Sequence, residues 1–220
     1  MNTKKSYRIL KGQNTFVNFP LAKLKIGDVL EMDDRNHRKV LNVFNLIPEA
    51  GILDKVDQGP KSEFEFISEN TFNLEFSNQL NSSPIQSHEA SISFKKANSV
   101  YCKLDNLQHT SLPLGYIEEE LVRLWEKKGY DKAGKRKHFH FVSEVFHANS
   151  GIILYSTSAN THAKLSTVSK VPLLEEADLL KAELDIKTNS DKLMKLYVQE
   201  AFIPFYRTLR MFGNGRFGYL

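Results

Sequence analysis

Apolar positions in this chain recur with two periods, and the pattern from Tyr116 to Ser158 shows both. Ile117, Leu121, Leu124 and Trp125 return at the spacing of one helix face, with Pro113 upstream and Gly129 downstream as punctuation. From His138 the period becomes two. Phe139, Phe141 and Val145 alternate with His138, His140 and Glu144, which predicts a half-buried strand. Asn149-Ser-Gly151 reads as a turn and Ile152–Ser156 as a returning strand, so a helix feeding a long hairpin is the expected central unit.

The same alternation continues elsewhere. Gln13–Phe19 predicts a short strand, and Val40–Ile47 is apolar enough for a buried one. Gly51–Lys61 reads as a polar loop turning at Gly59-Pro60. Glu63–Phe76, Ile85–Phe94 and Val100–Leu104 alternate cleanly, and Asp105–Leu112 reads as the connection to the helix. Thr188-Asn-Ser-Asp191 reads as a hairpin turn between Leu179–Ile186 and Leu193–Ile203. The tail from Met211 is glycine-rich yet keeps Phe212, Phe217, Tyr219 and Leu220, so it is expected to dock rather than stay solvated. The whole predicts an α+β fold, a twisted and mainly antiparallel sheet with flanking helices.

With 220 residues, 41% hydrophobic and 25% charged, the composition is that of a globular protein with room for a substantial core. The net charge of +4 mildly favours acidic partners, and a solvated basic surface accounts for so small an excess equally well. Cys102, the single cysteine, excludes an internal disulfide and sits at strand spacing between Val100 and Leu104, as a buried structural thiol would. No apolar run approaches the roughly 20 residues of a spanning helix. The N-terminus lacks the apolar core of a secretory signal, so the chain is expected to stay in the compartment where it is made. Lys4, Lys5, Arg8 and Lys11 surround Tyr7, Ile9 and Leu10, a short basic amphipathic stretch able to lie on an anionic membrane.

Two chemistries compete for the alternating stretches. His138 and His140 share one strand face, and Glu144 joins it two alternations later, so the three are candidate ligands for a divalent transition metal. The spacing resembles the first metal motif of cupins, with His162 as a later ligand, but the upstream glycine is misplaced and the second cupin motif has no counterpart. Two histidines on the wet face of a strand are the plainer reading. Phosphate-binding glycine loops, nucleophile elbows, paired-cysteine zinc sites and nucleic-acid-binding signatures are absent from the sequence. The alternation itself suits a soluble sheet, and over about 9 to 11 residues per strand it also suits a transmembrane barrel wall.

Three stretches carry a family resemblance: Leu24–Asp33, Phe139–Phe146 after the amphipathic helix, and Leu184–Ile203. In this order they resemble the pore-forming domain of gasdermins, of the small bacterial type that ends in a short inhibitory peptide. The resemblance implies a pore-forming domain over residues 1–210 and an autoinhibitory tail over 211–220. It implies a protein that is not an enzyme and needs no cofactor, cytoplasmic when inactive. An activating protease would cut at Arg207 or Arg210, releasing Phe212, Phe217, Tyr219 and Leu220. Lys4, Lys5, Arg8, Lys11, Lys135, Arg136 and Lys137 would then meet anionic lipid at the inner or plasma membrane, where a homo-oligomer opens a pore and kills the cell, an antiphage defence in bacteria. Nucleic acid is not an expected partner. Bacterial members often carry an acylated cysteine near the N-terminus, and here the cysteine is Cys102.

Overall fold

A computed structural model of the chain describes residues 15–18, 23–32, 37–47, 51–67, 72–79, 86–97, 99–169, 184–189 and 192–219. The chain forms two compact units, one from Met1–Lys61, Gln108–His147 and Ile203–Leu220, the other from Ser62–Leu107 and Ala148–Phe202. Fourteen strands and one α-helix are found among the described residues, and every strand pair with a described register is antiparallel. The mainly antiparallel sheet is as expected; among the described residues the flanking helices reduce to one.

In the first unit, β8 (Phe139–Ala148) lies between β13 (Phe202–Met211) on one edge and two strands on the other. Those two are β2 (Asp28–Met32), paired to Phe139–Phe141, and the end of β7 (Ser99–Ser111), paired to Glu144–His147. β1 (Thr15–Val17) pairs with Phe205–Arg207 of β13, and β14 (Phe217–Tyr219) with Leu209–Met211. β2 pairs on its other edge with β3 (His37–Asn42). The buried Asp28 carboxylate anchors that corner: it accepts from Lys25 N at 2.9 Å and Asn42 Nδ2 at 2.8 Å, and pairs with Lys39 Nζ at 2.8 Å.

The helix α1 (Glu118–Lys128) follows the expected pattern, with Leu121, Leu124 and Trp125 buried and Ile117 at its N-cap. Glu118, Glu119 and Glu120 in the first turn and Lys127 and Lys128 in the last complement its dipole. Gly129, at φ 66°, ends it in the left-handed conformation that glycine adopts without strain. One core joins this helix face to Val29, Phe139, Phe141, Leu209, Met211 and Phe217, and a second gathers Phe16, Leu30, Val142, Val145 and Tyr206. β8 is therefore buried from Phe139 to Val145 rather than half-buried. Phe141 and Val145 fall in different cores, so the simple alternation does not run through the strand.

In the second unit, β7 pairs through Ser99–Asp105 with β9 (Ser150–Ser156), and β9 with β12 (Leu193–Val198). A second sheet runs in the order β11 (Leu184–Thr188), β10 (Thr161–Ser169), β6 (Gln86–Phe94), β5 (Phe72–Gln79). Ile92, Phe94, Ala163 and Leu165 of this sheet pack on Tyr101, Ile152, Leu154 and Leu193 of the other. Cys102 is fully buried, and burial pushes its thiol far above the ordinary range, as a structural cysteine requires.

Several sequence expectations are corrected. β8 and β9 do not pair with each other; both run antiparallel to β7, so Asn149-Ser-Gly151 does not close a hairpin. Glycine is needed there for space, since a Cβ on Gly151 would lie 2.4 Å from Leu104 Cδ2 and 3.0 Å from the Lys103 carbonyl. The strands on either side of Thr188–Asp191 form no hairpin, since β11 and β12 belong to different sheets, beside β10 and β9 respectively; Ser190 and Asp191 lie outside the described residues. Val40 is exposed, and the strand there ends at Asn42, whose side chain caps a 3-10 turn over Val43–Asn45. Gly59-Pro60 lies inside β4 (Asp57–Ile67), and Asp105–Ser111 is strand.

Candidate functional site

The tail is built into the first unit. β14 lies along β13, and Phe217 is 6% exposed in the helix core, its ring edge-on to Trp125. Its amide donates to Glu118 Oε1 at 3.4 Å, a long bond. Gly218 has to be glycine or displace a neighbour, because a Cβ there would lie 2.8 Å from the Phe212 ring. The Phe212 ring lies under the Arg210 guanidinium, 5.0 Å from its centroid. Between β13 and β14 a turn over Gly213–Arg216 is exposed, with Gly215 at φ 78°.

The far end of the tail reaches a buried carboxylate. Glu144 on β8 is 6% exposed. Its Oε2 accepts from Arg207 Nη1 at 2.9 Å and from His109 Nε2 at 2.7 Å, and its Oε1 accepts from the Tyr219 hydroxyl. Since a carboxylate only accepts, the His109 proton on this edge sits on Nε2. The Arg207 guanidinium also donates from Nε to Thr15 Oγ1 at 2.9 Å and lies over the Phe146 ring, which stacks in turn on His109 at 4.7 Å. A buried charge survives only when paired and hydrogen-bonded, and this one is met by two nitrogen donors and a phenol. Burial, and then the bond to Glu144, push the Tyr219 phenol above its ordinary value of 10.

The runner-up metal-ligand set, His138, His140 and Glu144 with His162, does not come together. His140 Nε2 donates to the Lys137 carbonyl at 3.1 Å, which leaves Nδ1 to accept from the Thr208 hydroxyl at 3.1 Å. His138 Nδ1 bonds the Met32 carbonyl at 3.2 Å, His162 Nδ1 meets Ser93 Oγ at 2.9 Å, and Glu144 is held as above. No group of three metal-ligating side chains occurs among the described residues. The spacing misleads because strand neighbours, not a shared ion, take up each polar group.

Arg207 and Arg210, expected at a cleavage point, lie inside β13, and Arg207 is tied to Glu144 and Thr15. Arg216 lies in the exposed turn. Lys135 and Lys137 are exposed, as are Lys127, Lys128 and Lys132, while Arg136 is half-buried against the turn at Gly213. Lys4, Lys5, Arg8, Lys11 and Leu220 lie outside the described residues. Sequence reasoning overlooked His109 and Thr15. The available signal was Glu144 itself, the one acid in a strand buried over most of its length, which obliges residues distant in sequence to supply its partners.

No family model matches the chain, and no curated protein does. Among solved structures it is similar to one described as the cryo-EM structure of the gasdermin A3 membrane pore, at 16% identity, over 99% of this chain and 92% of that one. The TM-score of 0.36 is too low to assign the fold from that likeness. No described helix is long and apolar enough to cross a membrane, which leaves strands out of account.

Proposed function

We propose that this chain is a pore-forming protein of gasdermin type, held inactive in soluble form by its docked tail and activated when a protease removes it. One observation supports this reading best, the ladder between β6 and β10. It runs through nine register pairs from Thr161↔Phe94 to Ser169↔Gln86. Ile92, Phe94, Ala163 and Leu165 are buried, whereas His162 and Lys164 are exposed and Ser91 and Ser93 half-buried. A membrane barrel needs about 9 to 11 residues per strand, with lipid-facing apolar positions alternating with polar ones. In the soluble fold Tyr101, Ile152, Leu154 and Leu193 cover the apolar face.

In this reading the tail over 211–220 is the brake. Cutting at Arg207 or Arg210 requires β13 to open, whereas a cut at Arg216 needs only access to the exposed turn. The basic residues, exposed Lys135 and Lys137 with Arg136 beside them and Lys4, Lys5, Arg8 and Lys11 near the N-terminus, then bring the chain to anionic lipid, each contributing on the order of 1 kcal/mol near such a surface. Closure into a ring of protomers removes the strand edges that lipid cannot satisfy. The protein passes from cytoplasm to inner or plasma membrane, and the outcome is cell death, an antiphage response in a bacterial host.

Vesicles loaded with a quenched dye test the reading. Chains ending at Arg210 and at Arg216 are added to phosphatidylglycerol-rich and to phosphatidylcholine vesicles. The reading expects leakage from the anionic vesicles with at least one truncated chain and none with the full chain. Intact vesicles at high dose of both truncations contradict it.

A further inference from the structure

We infer that the Glu144–Arg207 pair is a shared latch for the two ends of the chain, so that loosening the C-terminal strand also loosens the N-terminal one. Three hydrogen bonds in series carry the connection. Tyr219 donates to Glu144 Oε1, Arg207 Nη1 donates to Glu144 Oε2, and Arg207 Nε donates to Thr15 Oγ1. Tyr219 belongs to β14 and Thr15 to β1, and both strands are only three residues long and paired to β13.

The connection is stiff where it matters. The guanidinium is planar, so its Nε and Nη1 bonds cannot be adjusted independently. Phe146 supports it on one face, 5.3 Å away. Glu144 is 6% exposed, so its carboxylate stays where its donors hold it. Without the Tyr219 hydroxyl, Oε1 loses its protein donor, and the carboxylate, held at Oε2 alone by His109 and Arg207, can turn about that end. The guanidinium follows Oε2, and the Nε bond to Thr15 loses its geometry. β1 keeps other anchors, the stacking of Phe16 on Tyr206 at 5.3 Å and the bonds from Asn18 to Ile203 and Pro204, so it loosens without leaving.

The coupling itself concerns the soluble chain. Its consequence rests on the proposed function: removal of the tail would weaken the strand that follows the basic N-terminal stretch, joining release of the brake to presentation of the lipid-binding charges. Coupling free energies are reciprocal, which gives the test two independent arms. Residue-resolved amide exchange is measured in solution, without membranes, on the full chain and on two variants. Tyr219→Phe is expected to speed exchange at Thr15–Asn18 as well as at Phe217–Tyr219, by about fivefold or more. Thr15→Val is expected to speed exchange at Phe217–Tyr219 by a similar factor, and Thr15→Ser, which keeps the hydroxyl, to restore it. If each substitution loosens only its own strand, the latch is refuted. Because no vesicle is involved, coupling without leakage from the truncated chain would overturn the pore reading and leave the latch standing.

Discussion

The ring of Phe217 meets that of Trp125 edge-on, with centroids 5.0 Å apart and planes at 84°. β14 thus covers the buried face of α1. Trp125 is the single tryptophan, so its emission reports on the tail without interference. Phe217→Ala is expected to cost about 3 to 4 kcal/mol and to shift the emission to longer wavelength as water reaches the indole. Denaturant titration followed by fluorescence measures both.

Arg207 and Glu144 make the second test. Removing one partner of a buried pair leaves an uncompensated charge, so Arg207→Leu is expected to destabilise the fold by about 3 kcal/mol, the low end of the usual range, because Arg207 is 22% exposed. Adding Glu144→Gln to that chain removes the stranded charge and is expected to recover part of the loss. Urea unfolding of both chains gives the comparison.

Gly151 should not tolerate a methyl group. The Cβ of Gly151→Ala meets Leu104 Cδ2 at 2.4 Å and the Lys103 carbonyl at 3.0 Å. The leucine can turn aside; the backbone oxygen cannot. A loss of about 1 to 3 kcal/mol is expected in the same unfolding experiment.

Much of the local structure was legible in the sequence, and little of the pairing. Ile117, Leu121, Leu124 and Trp125 announce the helix, and Gly129 its end, because both signals lie within a few residues. Alternation likewise marks Ile85–Phe94 and Val100–Leu104 as strands. Which strand lies beside which depends on contacts far apart in the chain, and so Asn149-Ser-Gly151 and Thr188–Asp191 passed for hairpin turns. Glycine at 151 answers to crowding by Leu104, which no turn statistic registers. The site shows the same limit. The partners of Glu144 come from β7, β13 and β14, whereas spacing along one strand pointed to His138 and His140. Arg207 attracted notice for its place near the C-terminus, and nothing local reveals that it is tied down.

Alkaline pH should release the tail. The raised Tyr219 pKa means that the folded chain holds the phenolic proton more tightly than the unfolded one. The stability this contributes is fully present below the ordinary value of 10 and is lost as pH rises through 10 toward the folded value. The Tyr130 phenol, beside Trp125, is raised as well, by burial and then by Glu31. A change in Trp125 emission as pH rises above 10 is therefore expected, and its reduction in Tyr219→Phe isolates the tail's share.

The central claim is that the β6–β10 ribbon, covered in water, becomes channel wall in lipid. Single cysteines carrying an environment-sensitive dye test it most directly, placed in turn at Ile92, Ser93, Phe94, His162, Ala163 and Lys164 in a Cys102→Ser chain truncated after Arg216. On anionic vesicles whose acyl chains carry a quencher, the account predicts quenching of the dye at Ile92, Phe94 and Ala163, which the soluble fold buries in protein, and none at Ser93, His162 and Lys164. Dye that the acyl-chain quencher reaches at none of the six positions would contradict it.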